Sequence, residues 1–159
     1  MPFRVGQGFD FHPLRAGRPL KLGGVTIAHD VGLDGHSDAD VAAHALANAV
    51  LGALGQGDLG RNFPDTDARY KNADSLVLLA DVWKLADEGG WRLVNADITI
   101  FAQRPRLAPY VDSMRERLAG ALGVPPTSVN VKASSPEGLG ALGRGEGMSA
   151  AAIVLLERV

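Results

Sequence analysis

Residues 3–12 alternate between two kinds of side chain, and this pattern constrains the fold more than any other feature of the chain. Most odd-numbered positions are apolar, whereas the even-numbered positions are charged, polar or small. A period of two residues predicts a β-strand with one buried face. Asp10 and His12 then lie on the same face of the strand, opposite to Phe9 and Phe11, which we expect to be buried.

A histidine from elsewhere in the chain makes this strand a candidate metal site. His44 lies in a helix pattern about thirty residues further along. A carboxylate and two imidazoles can hold a catalytic zinc ion and leave one coordination position open for a substrate. Taken separately, Asp10 and His12 also fit the solvated face of an edge strand, and His44 fits a solvent-facing helix position. The combination of the three residues indicates the metal site.

Composition narrows the class of protein. The chain has 159 residues, 46% of them hydrophobic, so we expect one domain over residues 1–159. The formal net charge is -2 and no lysine or arginine run forms a basic stripe, which argues against nucleic acid or a membrane as partner and favours a small molecule. There are no cysteines, so zinc would be bound through oxygen and nitrogen. No apolar segment resembles a signal peptide or approaches the roughly 20 residues of a membrane span, so a cytoplasmic location is expected.

Periodicity along the rest of the chain predicts alternating strands and helices, which indicates an α/β fold. Ser37 is the predicted N-cap of a helix over residues 38–54, and Asp40 completes a capping box. The other predicted elements are a hairpin over 20–27, an irregular loop over 28–35, helices over 72–88 and 107–122, and strands over 91–103, 129–133 and 148–156. The last strand is nearly all apolar, which predicts burial on both of its faces.

Two loop regions have compositions suited to substrate binding. Residues 58–60 and 63–67 hold three carboxylates among turn residues, which is typical of a flexible lid but also of a solvated connection. Residues 134–140 combine hydroxyls and glycines with Glu137, a hard oxygen ligand suited to magnesium on a diphosphate, and Lys132 adds positive charge. Loops rich in Ser-Pro and glycine also simply turn the chain.

Six motifs, in order along essentially the whole chain, resemble the 2-C-methyl-D-erythritol 2,4-cyclodiphosphate synthase family. They are residues 8–12 (GFDFH), 35–46 (GHSDADVAAHAL), 57–60 (GDLG), 63–67 (FPDTD), 130–133 (NVKA) and 143–147 (GRGEG). Several motifs at matching separations are far more specific than any one alone. The resemblance implies an α/β subunit built as a two-layer α+β sandwich, with a mixed β-sheet and helices packed on one face. It also implies a homotrimer, with the sheets around a central axis and the active sites at subunit interfaces.

The activity implied by the resemblance belongs to the non-mevalonate route to isoprenoid precursors. Such a lyase converts 4-diphosphocytidyl-2-C-methyl-D-erythritol 2-phosphate to the 2,4-cyclodiphosphate and releases CMP. The implied cofactors are one Zn²⁺ per site and a Mg²⁺ or Mn²⁺ that bridges the substrate diphosphate. An isoprenoid diphosphate in the central channel is a further implied ligand.

The resemblance also implies roles for particular residues. Asp10, His12 and His44 would bind zinc, and Glu137 would help to hold magnesium. His36 and Ser135 would stabilise the transition state. Phe9, Arg144 and Glu146 would line the isoprenoid channel. The implied substrate-binding residues are Asp10, His12, His36, Ser37, Asp58, Leu59, Gly60, Phe63, Pro64, Asp65, Thr66, Asp67, Ala102, Gln103, Arg104, Pro105, Arg106, Leu107, Ala108, Lys132, Ser134, Ser135, Pro136, Glu137 and Arg144.

Two positions depart from the family pattern. Pro136 stands in a run where the family commonly has threonines, and it removes one amide donor from the phosphate loop. Ala141 stands where a bulky aromatic residue is often found near the trimer axis. Two other functions remain open from the residues alone: a non-enzymatic trimeric protein that binds zinc and an isoprenoid diphosphate, and a zinc phosphohydrolase.

Overall fold

This computed structural model describes residues 2–159 of the chain, which form β-strands, α-helices and short 3-10 turns. The strands are β1 (Phe3–Ala16), β2 (Leu20–Leu22), β3 (Val25–Ile27), β4 (Val31–Leu33), β5 (Trp91–Phe101), β6 (Val129–Ser134) and β7 (Gly147–Arg158). The α-helices are α1 (Val41–Leu54), α2 (Leu59–Asn62), α3 (Ser75–Glu88), α4 (Val111–Leu122) and α5 (Gly140–Gly143). Short 3-10 turns lie at Ala68–Tyr70, Ala108–Tyr110 and Pro126–Ser128.

Five strands form one mixed sheet in the order β4-β1-β7-β5-β6. β5 and β6 are parallel, and the other neighbours are antiparallel. β2 and β3 form a separate hairpin, as predicted. Helix α1 packs over β1 and β7, α4 packs over β6, and α3 lies against both helices. The mixed α/β fold with helices packed against the sheet is therefore the one expected from the sequence.

The buried face of β1 is the opposite of the one predicted. Phe9 and Phe11 are 54% and 65% exposed, whereas Gly6 and Gly8 are buried beneath α1. A Cβ atom on Gly8 would lie 2.1 Å from the carbonyl oxygen of Ala45, so only glycine permits this helix to approach the strand. The glycines are covered because, without side chains, they leave room for the helix to pack on the strand. The phenylalanines face outward.

The outward face continues onto β7. Ile153 is 54% exposed and lies beside Gln7 of β1 and Asp97 of β5. The prediction that the last strand is buried on both faces is wrong for the single chain, because helices cover only one side of the sheet. The exposed sheet face is defined here as Phe3, Val5, Phe9, Phe11 and Ile153, all at least half exposed.

The N-terminus of α1 also differs from its prediction. Asp40, and not Ser37, is the N-cap, and its side chain accepts hydrogen bonds from the backbone N–H groups of Ala42 and Ala43. The same carboxylate accepts from Gly23 at 2.8 Å and Gly24 at 2.7 Å, in the turn between β2 and β3. Burial raises the pKa of Asp40, and these backbone hydrogen bonds act in the opposite direction. Asp40 thus caps the N-terminus of α1 and attaches the hairpin of β2 and β3 to it.

Smaller differences lie at element ends. The loop predicted over residues 28–35 contains the short strand β4, which pairs with the end of β1. Helix α3 begins at Ser75 after an Asp74 N-cap, three residues later than predicted. Within residues 2–159, no helix combines the length and hydropathy needed to cross a membrane.

Candidate active site

The strand β1 and the helix α1 bring three candidate metal ligands together. Asp10 Oδ2 lies 3.1 Å from His12 Nε2 and 3.0 Å from His44 Nδ1. One ligand atom from each residue lies within 4.8 Å of the other two, which is compatible with a single bound ion. His44 is buried and not solvent-facing, because its position on α1 faces the strand. These three residues form the metal-site cluster.

The hydrogen bond behind His12 decides which of its ring nitrogens is available. His12 Nδ1 lies 2.8 Å from the backbone carbonyl oxygen of Asp34, which can only accept. Nδ1 is therefore protonated, so Nε2 is the ring nitrogen that can present a lone pair, and when Nε2 is unprotonated that lone pair is directed at the carboxylate of Asp10. Two acceptors 3.1 Å apart repel each other unless a cation lies between them. The donor set thus fits a metal ion.

The charges of the cluster favour an ionised carboxylate. Burial acts to raise the pKa of Asp10, but the adjacent imidazole groups of His12 and His44 outweigh it and hold the pKa below its ordinary value. Burial acts to lower the pKa of His12, but Asp10 and the Asp34 carbonyl outweigh it and hold the pKa above its ordinary value. Asp10 is therefore in the state that a metal ligand requires.

A cavity of about 470 Å³ opens beside the cluster. It brings together many of the predicted substrate-binding residues, namely Asp10, His12, His36, Ser37, Leu59, Gly60, Phe63 and Asp65. It also contains Asn48, Tyr70 and Leu78, which were not among them. Asn48 lies one helical turn after His44, so helix periodicity contained a signal for it. Tyr70 and Leu78 carried no such signal, because tertiary packing brings them to the cavity.

The carboxylate-rich loop forms one wall of this cavity. The backbone N–H of Leu59 donates to Asn48 Oδ1 at 2.8 Å, which attaches the loop to α1. His36 Nε2 lies 3.2 Å from the carbonyl oxygen of Asp67, so this nitrogen carries the proton and donates. Phe63 packs edge-to-face against Tyr70 with ring centroids 5.2 Å apart. The loop is therefore ordered against the cavity.

The remaining predicted site residues do not line this cavity within one chain. Gln103, Arg104 and Arg144 line a second cavity of about 330 Å³. Glu137 is exposed, and so are its predicted neighbours Ser134 and Ser135. Strand register places Ser134 three strands from the β1 end that carries the cluster, roughly 14 Å away at 4.8 Å per strand. Lys132 is paired with Asp97 and also lies apart.

A metal-site cluster at the mouth of a cavity, on a mixed sheet covered by helices, defines a candidate metal-dependent enzyme for a small molecule. Residues 3–157 match the model of the YgbB family, and the chain belongs to this family. A curated relative, the 2-C-methyl-D-erythritol 2,4-cyclodiphosphate synthase of Geobacillus kaustophilus, is 60% identical over 156 residues. These are 98% of this chain and 99% of that protein.

Solved structures agree with this assignment. The bifunctional IspDF from Campylobacter jejuni superimposes with a TM-score of 0.95 at 43% identity. The alignment covers 99% of this chain and 42% of that longer protein. A 2C-methyl-D-erythritol-2,4-cyclodiphosphate synthase solved in a CDP-bound form has a TM-score of 0.89 at 38% identity. That alignment covers 97% of this chain and 100% of the other.

Proposed function

We propose that this protein is a 2-C-methyl-D-erythritol 2,4-cyclodiphosphate synthase of the non-mevalonate route. It converts 4-diphosphocytidyl-2-C-methyl-D-erythritol 2-phosphate to the cyclic diphosphate and CMP. The observation that carries the proposal is the convergence of Asp10, His12 and His44 beside a cavity. Full-length identity of 60% to a curated synthase supports the same reaction.

The reaction needs little chemistry from the protein. An oxygen of the substrate's 2-phosphate forms a bond to the β-phosphorus. The bond from the β-phosphorus to the oxygen that bridges it to the α-phosphate breaks, and CMP leaves. Nucleophile and electrophile belong to one molecule and the attacking oxygen is already anionic, so no protein base is required. The task of the site is to fold the substrate and to neutralise its charge.

The metal-site cluster would hold zinc through Asp10 Oδ2, His12 Nε2 and His44 Nδ1. Three protein ligands leave one position open, as in catalytic rather than structural zinc sites. Zinc and a Glu137-bound magnesium or manganese ion would supply Lewis-acid stabilisation of the phosphate charge. His36, at the cavity wall, and Ser135 would contact the phosphate groups and stabilise the transition state as the ring closes.

Different parts of the chain would bind different parts of the substrate. The cavity wall over residues 58–60 and 63–67 would contact the methylerythritol end, with His36 and Ser37 nearby. Residues 102–108 and 132–135 would form the cytidine pocket, and the CDP-bound relative supports a cytidine nucleotide as ligand. Arg144, with Phe9 and Glu146, would accept an isoprenoid diphosphate. Arg144 Nε already donates to Glu146 at 2.5 Å, so that ligand would compete with a carboxylate.

The protein would work as a homotrimer of one-domain subunits. Within one chain, Ser135 and Glu137 lie away from the metal-site cluster, so a complete site needs these groups from a neighbouring subunit. The exposed sheet face supplies an apolar surface for that contact, with Phe11 65% exposed. Packing three such faces around one axis would cover the phenylalanines and bring Glu137 of one subunit toward the cluster of another.

Product analysis tests the proposed function. Purified protein is incubated with 4-diphosphocytidyl-2-C-methyl-D-erythritol 2-phosphate, zinc and magnesium, and the products are identified by mass spectrometry. We expect CMP and the cyclic diphosphate in equal amounts, with no product after metal removal. A linear phosphate product would identify a phosphohydrolase. Intact substrate in the presence of fully zinc-loaded trimer would identify a binding protein.

A further inference from the structure

The ring nitrogen of His44 that points away from Asp10 contacts two serine hydroxyls. His44 Nε2 lies 2.8 Å from Ser75 Oγ and 3.1 Å from Ser37 Oγ. Ser75 is the first residue of α3 and is 1% exposed, so water does not compete for its hydroxyl. Neither the motifs nor the periodicity of the sequence singled out Ser75. The two hydroxyls differ in what else they contact, and that difference decides their roles.

The Ser75 hydroxyl donates its only proton to the carboxylate of Asp38. Ser75 Oγ donates to Asp38 Oδ1, and the same carboxylate accepts from the Ser75 backbone N–H at 3.1 Å. Lys21 Nζ lies 3.3 Å from Asp38 Oδ2 and balances its charge. Because an ionised carboxylate can only accept, the hydroxyl proton must point toward it. The lone pairs of Ser75 Oγ therefore face His44.

An acceptor at Ser75 selects one form of the His44 ring. Because Ser75 Oγ presents only lone pairs to Nε2, their 2.8 Å contact is a hydrogen bond when Nε2 carries the ring proton and donates it. Nδ1 is then unprotonated and faces Asp10 Oδ2 at 3.0 Å, which is where the metal-site cluster needs a lone pair. The Ser37 hydroxyl accepts from the Ala39 N–H at 3.2 Å, and no carboxylate of residues 2–159 fixes the direction of its own proton. It can therefore donate to or accept from Nε2 and selects neither form.

We propose that Ser75, with its hydroxyl oriented by Asp38, is a positioning residue that holds His44 in the Nε2–H form and so presents Nδ1 to the metal. This inference rests on the proposed function only through its zinc site. It extends that site from α1 to the start of α3. A partner that orients a metal-bound histidine generally changes metal affinity by about 10- to 100-fold when it is removed.

Zinc affinity of matched variants tests the proposal. Full-length protein, Ser75→Ala, Ser75→Thr and Ser37→Ala are titrated with zinc alone against a chromophoric chelator. We expect Ser75→Ala to bind zinc about 10- to 100-fold more weakly. Ser75→Thr keeps the hydroxyl and should restore most of the affinity, whereas Ser37→Ala should retain the parent value. Cyclisation by Ser75→Ala should recover in excess zinc, since Ser75 is buried and does not line the cavity.

Nitrogen-15 NMR of the zinc-loaded parent supplies a readout that does not depend on the folding of any variant. Coordination through His44 Nδ1, with a slowly exchanging Nε2 proton, is expected. Coordination through Nε2, or a rapidly exchanging Nε2 proton, would overturn the proposal. Equal zinc affinity of the parent and a folded Ser75→Ala protein would overturn it as well. Failure of the parent itself to bind zinc would instead overturn the proposed function, and with it this inference.

Discussion

His44 is the member of the metal-site cluster that depends on two elements at once. Its backbone belongs to α1, its Nδ1 faces Asp10 on β1, and the distance between these atoms is 3.0 Å. Since α1 and β1 are in direct contact, the ligand distances depend on the packing of the helix on the strand. The ligand role of this one residue is therefore the most direct test of the site.

We expect His44→Ala to lose zinc and cyclisation together. The loss of zinc affinity should exceed the roughly 10- to 100-fold that removal of an outer hydrogen-bond partner produces. Chelator competition measures the first quantity, and CMP release measures the second. His29→Ala is the matched control for zinc, because His29 lines the other cavity. A His44→Ala protein with full zinc occupancy and parent activity would show that His44 is no ligand.

Asp40 is the N-cap of α1, the role that the sequence predicted for Ser37. Its carboxylate is fully buried and accepts from four backbone N–H groups, at Gly23, Gly24, Ala42 and Ala43. We expect Asp40→Ala to lower the free energy of unfolding by at least about 3 kcal/mol, because several buried donors lose their acceptor. Urea denaturation measures this, with the exposed Glu88→Ala expected within about 0.5 kcal/mol of the parent. Equal stability of the two variants would contradict this role.

At the scale of elements, the contact between β1 and α1 sets the site geometry. Glycines at positions 6 and 8 let the helix approach until a Cβ on Gly8 would lie 2.1 Å from a helix carbonyl oxygen. Asp10 follows Gly8 by two residues on the strand, and His44 immediately precedes the Ala45 carbonyl on the helix. The close approach therefore serves both packing and ligand placement.

We expect Gly8→Ala to destabilise the fold and weaken zinc binding in the same variant. The added methyl group should cost about 1–3 kcal/mol, since the two nearest atoms, the carbonyl oxygen of Ala45 and the nitrogen of Ala49, are backbone and cannot rotate away. Gly120→Ala on α4 is the matched control, because its Cβ would meet no atom within 4 Å. It should be neutral or more stable by up to about 1 kcal/mol. Thermal or urea unfolding measures the change in the free energy of unfolding for each variant. Destabilisation of both variants, or of neither, would contradict this account.

At the scale of the whole molecule, one side of the sheet is covered by helices and the other is open. The open side carries Phe9 and Phe11, whose exposed fractions are 54% and 65%. The predicted site residues are also divided, with the metal-site cluster in one cavity and Arg104 and Arg144 in another. Assembly of several copies through the exposed sheet face would account for both features.

We expect the parent to sediment as a trimer and Phe11→Asp to sediment as a monomer. A buried, unpaired carboxylate at a subunit contact is unfavourable, so the variant should dissociate. It should lose cyclisation because, in the proposed homotrimer, Ser135 and Glu137 of a neighbouring subunit would no longer be supplied. Val77→Asp is the control, since Val77 is 57% exposed but lies on α3, away from the sheet face. Analytical ultracentrifugation decides the matter, and a trimeric, active Phe11→Asp protein would exclude this interface.

Much of the fold could be predicted because its signals are local. A period of two residues identified β1, and helical periodicity with glycine stops identified α1, α3 and α4 to within a few residues. The pairing of Asp10 with His12 followed from their spacing on one strand. Motif order along the chain indicated the family whose model matches residues 3–157.

What the sequence by itself determined is therefore the kind and order of the elements and the residue types of the metal-site cluster. Only the tertiary structure decided which face of β1 is covered, what Asp40 accepts, and that Ser75 lies behind His44. Alternation along a strand states that two faces differ, but the element packed against them decides which one is buried. Contacts between residues far apart in the chain carry no periodic signal, since they arise from the packing of elements and not from neighbours along the chain.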